Sequence, residues 1–238
     1  LNLYNGGFAT GLMAMMLTPV LKAFGYEFNT VSIWCTQYNR SLSTALVMLG
    51  ILLIVLGVAH DENAVTNYRN LLKRPGNPVD DFLLLDGIGA VAINTGVNII
   101  LATIVVLAIG GDINGPTIGG ILTIAGFSVK GKHARNILPV MLGIILSGLM
   151  RGGGAVVTPA AQLALLFGTT LAPISGTYGF PAGIVAGFIH SCVVLYAGAG
   201  YSGVNLYNNG FAGGLVAIVM HSVLSEFFRP KEYSKPSD

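Results

Sequence analysis

Two asparagines in an apolar stretch are the first residues whose type and spacing could do chemistry. Asn94 and Asn98 stand four positions apart, so they share one face if the stretch 82–110 is helical. A side-chain amide surrounded by hydrocarbon must find a partner, and it therefore faces protein or a pore. The pair predicts either a hydrogen-bonded contact between helices or the lining of a polar pathway.

Asp86 and His190 are the ionisable residues in apolar surroundings. His190 lies within the run 180–197, where burying a charge is costly, which makes it a candidate functional residue. The alternative for His190 is a neutral histidine that is hydrogen-bonded to a neighbouring helix. The alternative for Asp86 is that it lies at the membrane interface. Ser191 follows His190, but adjacent side chains on a helix point about 100° apart and cannot form a catalytic pair alone. No metal-ligand cluster or nucleotide fingerprint occurs, so neither metal nor cofactor is expected.

Two further sets of polar residues stand at the ends of short apolar runs. Asn114, or the glycine after it, can cap a helix that has Pro116 in its first turn. Such a helix start, with Thr117 in its first turn, presents free N–H groups. At membrane depth they could bind an anion or a carbonyl oxygen; at the surface the same residues would form an ordinary capped turn. Thr169 and Thr170 could contact a solute or bond back to their own helix.

One sequence stretch occurs twice, at 2–15 and at 205–218. With a constant offset of 203 residues, 10 of the 14 positions are identical. Tyr4-Asn5 and Tyr207-Asn208 lie at the start of the two copies. They either converge at the interface between the two halves of a pseudo-symmetric protein or cap their own helices with a tyrosine at the membrane interface. The duplication predicts that 1–24 holds the terminal helix of a first repeat whose remainder is missing. Residues 25–228 would then be a second membrane repeat, and 229–238 a polar tail.

Composition places the chain in a bilayer. Hydrophobic residues make up 53% of the sequence and charged residues 9%, with a mean hydropathy of +0.72. A soluble domain carries roughly 25% charge, so these residues could not cover a water-exposed surface. The net charge of +2 comes from scattered basic residues, which argues against a nucleic-acid partner. The predicted fold class is all-α, a polytopic transmembrane helix bundle.

The lengths of the apolar runs separate complete crossings from shorter pieces. A crossing takes roughly 20 helical residues. The runs 8–24, 41–59, 91–110, 180–197 and 211–228 are long enough or nearly so, whereas 117–129, 137–150 and 159–173 are short. Discontinuous or re-entrant half-helices survive in a membrane only when buried in protein or lining a wet cavity, and they point to a solute site near the midplane. The basic loops 69–74 and 130–135 and the polar tail 229–238 are candidates for the cytoplasmic side.

Three segments carry a resemblance to a known family: Leu-Tyr-Asn-Asn-Gly-Phe at 206–211, Gly-Asp-Ile-Asn-Gly-Pro-Thr-Ile-Gly-Gly at 111–120, and Phe-Gly-Thr-Thr-Leu-Ala-Pro at 167–173. Together they resemble the bacterial polytopic membrane proteins grouped as domain of unknown function 1576. This resemblance covers essentially the whole chain and implies an architecture without a substrate. The stretch 207–210 is also similar to the Tyr-Asn-Gly stretch of urea transporters, which implies by analogy two inverted halves around a pore. The Leu-Pro-rich signature of those transporters is not found here.

These observations predict a multi-pass protein of the bacterial inner membrane that serves as a channel or secondary transporter for a small polar or anionic solute. An intramembrane enzyme and a non-transporting scaffold are the alternatives. The expected partners are the lipid bilayer, the missing N-terminal half, the solute and further copies of the chain. The predicted solute-binding residues are Asn94, Asn98, Asn114, Thr117, Thr169, Thr170, His190, Tyr207 and Asn208.

Overall fold

The structure, a computed structural model, describes residues 6–28, 33–77, 81–197 and 208–228. All regular elements of these ranges are helical, which confirms the predicted all-α class. The helices are α1 (Gly6–Ala23), α2 (Asn39–His60), α3 (Ala64–Leu71), α4 (Phe82–Ala108), α5 (Gly115–Phe127), α6 (Ala134–Met150), α7 (Pro159–Phe167), α8 (Ala172–Tyr178), α9 (Phe180–Ala197) and α10 (Asn208–Phe227). Short 3-10 turns occupy Gly153–Val156 and Gly168–Leu171.

Four helices of the described ranges are long and apolar enough to cross a membrane: α2, α4, α9 and α10. This confirms a multi-pass helical bundle. The run 8–24, predicted as a crossing, forms α1 but is not among the four. Thr10, Pro19 and Lys22 interrupt the apolar residues of this helix.

Helices α2 and α4 pack closely because glycines face each other along the contact. A Cβ added to Gly57 would lie 2.6 Å from the carbonyl oxygen of Gly89, and one added to Gly50 would lie 2.8 Å from that of Gly96. Since the numbers rise in one helix as they fall in the other, the pair is antiparallel. We call the side where α2 ends and α4 begins the loop side, because it carries the polar loop 60–81.

Gly87 divides α4 into two pieces. Its φ of 82° and ψ of 163° are accessible to glycine and strained for other residues, and they interrupt the helix after one turn. The regular helix then runs over 88–108. This matches the predicted short entering segment followed by a span, with the break a few residues before the predicted start at Val91.

The shorter helices divide into a parallel pair and a broken crossing. At the side opposite the loop side, the Asp112 N–H donates to Gln162 Oε1 over 2.8 Å, and Gly120 packs on Leu166, so α5 and α7 run in the same direction. The run predicted at 159–173 continues through the 3-10 turn 168–171 and α8 as far as Tyr178.

Helix α6 is longer than the sequence indicates. It begins at Ala134 rather than near 137, and its 17 residues run parallel to α9. Gly143 lies against the Ile184 carbonyl, and Gly187 lies against the Val140 carbonyl. These reciprocal contacts join α6 and α9 into one layer beside α7 and α8.

Candidate solute site at Lys132

The turn between α5 and α6 is anchored part-way along α4. Asn94 Nδ2 donates to the carbonyl oxygens of Ser128 and Lys132, both over 2.8 Å. Asn98 Nδ2 donates to Ser128 Oγ over 2.7 Å and to the Lys132 carbonyl over 3.1 Å. At about 1.5 Å per residue from position 88, the two asparagines lie roughly 9 and 15 Å along the regular part of α4. The turn 128–133 therefore ends inside the length of a spanning helix.

Lys132 projects from this turn into the protein. Its side chain is 1% exposed, and its Nζ donates to Thr169 Oγ1 over 3.0 Å and lies 5.1 Å from the ring centroid of Phe127. No carboxylate of the described residues pairs with it. Burial lowers the pKa of Lys132 to about 7, because the charged form loses its hydration.

Thr169 brings the second broken element to this point. Its hydroxyl donates to the Leu166 carbonyl over 2.7 Å and accepts the bond from Lys132. It belongs to the 3-10 turn 168–171, which interrupts the crossing made by α7 and α8. The short runs predicted at 117–129 and 159–173 thus meet through Lys132 and Thr169.

Three buried oxygen atoms near this meeting point have no hydrogen-bond partner among the described residues. They are Oδ1 of Asn94, Oδ1 of Asn98 and Oγ1 of Thr170. An unpaired buried polar atom costs about 1–3 kcal/mol. The two amide oxygens are acceptors on the side chains that anchor the turn of Lys132.

His190 and Asn208 lie at a neighbouring contact, behind the 3-10 turn. A Cβ on Gly168 would lie 2.7 Å from His190 Cδ2. His190 Nε2 is 3.3 Å from Asn209 Oδ1, which fits the interpretation of a neutral histidine bonded to another helix. His190 Nδ1 and Asn208 Oδ1 are buried and have no described partner. Tyr207 lies outside the described residues.

The residues of the enzyme hypothesis are held apart. Ser191 Oγ accepts a bond from Arg151 Nη2 over 2.9 Å, not from His190. The Asp86 carboxylate accepts hydrogen bonds from Arg74 Nε over 2.8 Å and from Arg74 Nη2 over 3.0 Å. Each residue proposed for catalysis therefore has a different partner, and no catalytic pair forms among them.

Asn114 and Thr117 lie at the opposite end of α5 from the turn that carries Lys132. The sequence-predicted cap is present, with Asn114 Oδ1 accepting the Thr117 N–H over 3.3 Å. Asn114 Nδ2 donates to the Cys35 carbonyl over 3.0 Å, and Thr117 Oγ1 contacts the Asp112 carbonyl at 2.8 Å. Both side chains are engaged in this turn, and a solute role for them stays a prediction.

A cavity of about 470 Å³ opens on the loop side beside the site. We call it the vestibule; its lining includes Lys73, Arg74 and Arg135 and, among the residues that the structure describes, contains no carboxylate. His133 also lines it and donates from Nε2 to the Arg74 carbonyl over 3.0 Å. Burial lowers the pKa of His133 to about 4, an effect that the bond to Arg74 opposes and the nearby Arg135 reinforces, so the ring is neutral at pH 7.

Lys132 is not part of the vestibule lining, and a short segment packs against the turn that carries it. Residues 74–76 fold inward, with Gly76 against the Gly131 carbonyl and the Pro75 carbonyl against Gly176. We call 74–76 the plug. It packs against Gly131 of the turn 128–133, and Phe82 also binds this turn, its N–H donating to the Val129 carbonyl over 3.1 Å.

Lys132 was not among the residues predicted from the sequence. The basic loop 130–135 was expected in water, but only Lys130 and Arg135 are exposed, whereas Lys132 and His133 are buried. The available signal was the shortness of the run 117–129. A helix too short to cross a bilayer can leave the residues that follow it buried in the protein.

The fold and the site define an integral membrane protein of the multi-pass class, with a buried polar cluster where two broken helical elements meet. Residues 60–226 match the family described as protein of unknown function (DUF1576), and the chain belongs to that family. This confirms the family resemblance. No curated protein and no solved structure matches the chain, so the likeness to urea transporters has no support.

Proposed function

We propose that this protein is a channel or secondary transporter for small anions that also carry O–H or N–H groups. The observation that carries the proposal is the Lys132 ammonium, which is buried at the meeting point of two broken elements without a carboxylate among the described residues. A buried charge is normally paired, since its desolvation costs several kcal/mol. A bound anion would supply the missing partner.

The other polar atoms of the cluster narrow the solute class. The unpaired oxygens of Asn94 and Asn98 accept hydrogen bonds, so they favour a solute that donates as well as carrying a negative charge. Partly protonated oxyanions and short hydroxy- or amino-carboxylates have this combination. Halide ions do not.

The vestibule supplies a route of approach in this proposal. Its basic lining would concentrate anions at the loop side. In this proposal the plug separates the vestibule from Lys132, and its displacement would open the route between them. In this proposal α5 with the turn 128–133 is a re-entrant element, packed against α4 and α7.

Flux through reconstituted protein tests the proposal. Liposomes containing the protein are assayed with inorganic oxyanions, hydroxy- and amino-carboxylates, chloride and neutral polar solutes. We expect flux of one of the donor-bearing anions. Lys132→Met should reduce it by about 10–100-fold, because a charge-assisted hydrogen bond contributes about 1.5–3 kcal/mol.

Lys130→Met is the matched control, since Lys130 is exposed on the same turn. It should leave flux within the variation of the unmodified protein. Equal losses in both variants would remove Lys132 from the site. Absence of flux above protein-free liposomes for the whole panel would end the transport proposal.

A further inference from the structure

Helices α1 and α10, which contain the two copies of the repeated stretch, pack on each other through equivalent residues. Phe8 and Phe211 occupy the same position in the two copies, and their rings stack with centroids 6.0 Å apart and planes inclined by 11°. A Cβ on Gly11 would lie 2.6 Å from Phe211 Cβ, and in the other copy Gly214 lies against the Phe8 ring. Each helix thus makes with the other the contact that it receives, as in an interface with two-fold symmetry.

The two helices differ on a neighbouring face. On α10, Val216 and Met220 are 3% and 8% exposed, because α10 packs on α9 and on the 3-10 turn 168–171. Their equivalents on α1 are Met13 and Leu17, which are 63% and 54% exposed. We call this surface of Met13 and Leu17 the α1 face.

A third strip of the same helices shows no such difference. Met16 on α1 and its equivalent Val219 on α10 are 62% and 55% exposed. This strip therefore suits lipid in both copies. Of these two strips, only the α1 face lacks the cover that its counterpart has, because α1 packs mainly on α10 whereas α10 also packs on α9 and the turn 168–171.

We infer that the α1 face binds a second helical unit of the same fold as residues 25–197, seated on α1 as α9 and the turn 168–171 are seated on α10. The symmetric contact between α1 and α10 would then be the central contact between two repeats. A second copy of this chain does not fit that role, because its own α10 already fills the equivalent seat. A copy could accept α1 only by releasing α10.

Photo-methionine tests this inference without changing the shape of the helix, because the reactive analogue replaces methionine in place. The protein is labelled in the membranes of its own cells, irradiated, and digested for mass spectrometry. We expect Met13 to crosslink to a peptide homologous to, but different from, the segments 168–171 and 180–197 of this chain. Met16 on the same helix is the matched control and should give lipid adducts alone.

A Met13→Leu variant should lose the peptide crosslink and keep the lipid adducts of Met16, which assigns the crosslink to the α1 face. Lipid adducts at both Met13 and Met16 would show that the bilayer covers this face and would overturn the inference. Crosslinks from Met13 to this chain's own 168–171 or 180–197 would show exchange of α1 for α10 between copies, and would also overturn it.

Discussion

At the scale of single residues, Lys132 determines what the site can bind. Among the described residues, its ammonium contacts the Thr169 hydroxyl and the Phe127 ring. These two contacts replace few of the hydrogen bonds that water would give it. The neutral amine is therefore accessible near pH 7, whereas the ordinary lysine pKa is about 10.4. An anion bound beside Lys132 would favour the protonated form, so binding of the anion and of a proton would be coupled.

This coupling predicts a pH dependence of binding. Anion affinity should be constant well below pH 7 and should fall about tenfold per pH unit above it, because only protonated Lys132 binds the anion. Measuring the affinity for the transported anion from about pH 5.5 to about pH 9 covers both sides of the Lys132 pKa and gives this profile. Lys132→Arg, which stays charged, should bind with a flat profile. A flat profile in the unmodified protein would exclude Lys132 as the titrating group.

Stability should follow the same titration with the opposite sign. Between about pH 7 and the ordinary lysine pKa, the unfolded chain holds a proton on this side chain that the folded chain has lost. The contribution of Lys132 to the free energy of unfolding therefore rises with pH across this window and does not change below it. Lys132→Met removes this slope, which denaturant unfolding at several pH values would detect.

At the scale of elements, close helix contacts fix the frame around the site. Gly143 on α6 lies against the Ile184 carbonyl of α9, so any side chain there must push the two helices apart. We expect Gly143→Ala to destabilise the protein by about 1–3 kcal/mol, as for overpacking in a well-packed core. Gly126→Ala on α5, where a Cβ meets nothing within 4 Å, should instead stabilise it by about 0.5–1 kcal/mol.

Denaturation in mixed detergent micelles measures both variants. Equal signs for the two substitutions would show that α6 and α9 are not in the close contact described. The contrast is informative because both positions are helical glycines in apolar segments, so they differ mainly in what surrounds them.

The plug is a second element that can be tested. A Cβ on Gly176 would occupy the space of the Pro75 carbonyl, so Gly176→Ala should displace residues 74–76 and expose the turn 128–133. With Cys35 and Cys192 replaced, a thiol at Ser128→Cys should then react faster with a water-soluble maleimide. Gly119→Ala, which has open space around it, is the control. Unchanged reactivity after Gly176→Ala would mean that the plug does not cover the turn.

At the scale of the whole molecule, charge predicts the orientation in the membrane. The loop side carries more basic residues than the opposite side of the described chain. On the loop side these are Arg69, Lys73, Arg74, Lys130 and Arg135; Arg40 and Arg151 lie on the opposite side, and Lys22 lies in the last turn of α1, ahead of the chain leading to α2. Since basic residues are retained on the cytoplasmic side, the vestibule should open to the cytoplasm of a cell membrane.

Cysteine labelling in intact cells tests this orientation. A cysteine at Lys130 should be protected from an impermeant reagent until the cells are opened, whereas one at Arg151 should react at once. Both positions are exposed, so access to them depends on the side of the membrane. The reverse pattern would place the vestibule outside and would change the direction from which anions reach Lys132.

The sequence by itself determined the membrane class, the helical fold and the broken elements, because these depend on composition and run length. It also indicated Asn94, Asn98 and Thr169, since polar side chains in apolar runs need partners wherever they lie. The tertiary structure decided which partners they have. Lys132 lies in a stretch whose charges suggest water, and only the anchoring of the turn 128–133 on α4 buries it. The tertiary structure also separated Asn114 from the site and gave Asp86, His190 and Ser191 different partners, because contacts between distant segments are set by how whole helices pack rather than by the residues next to them.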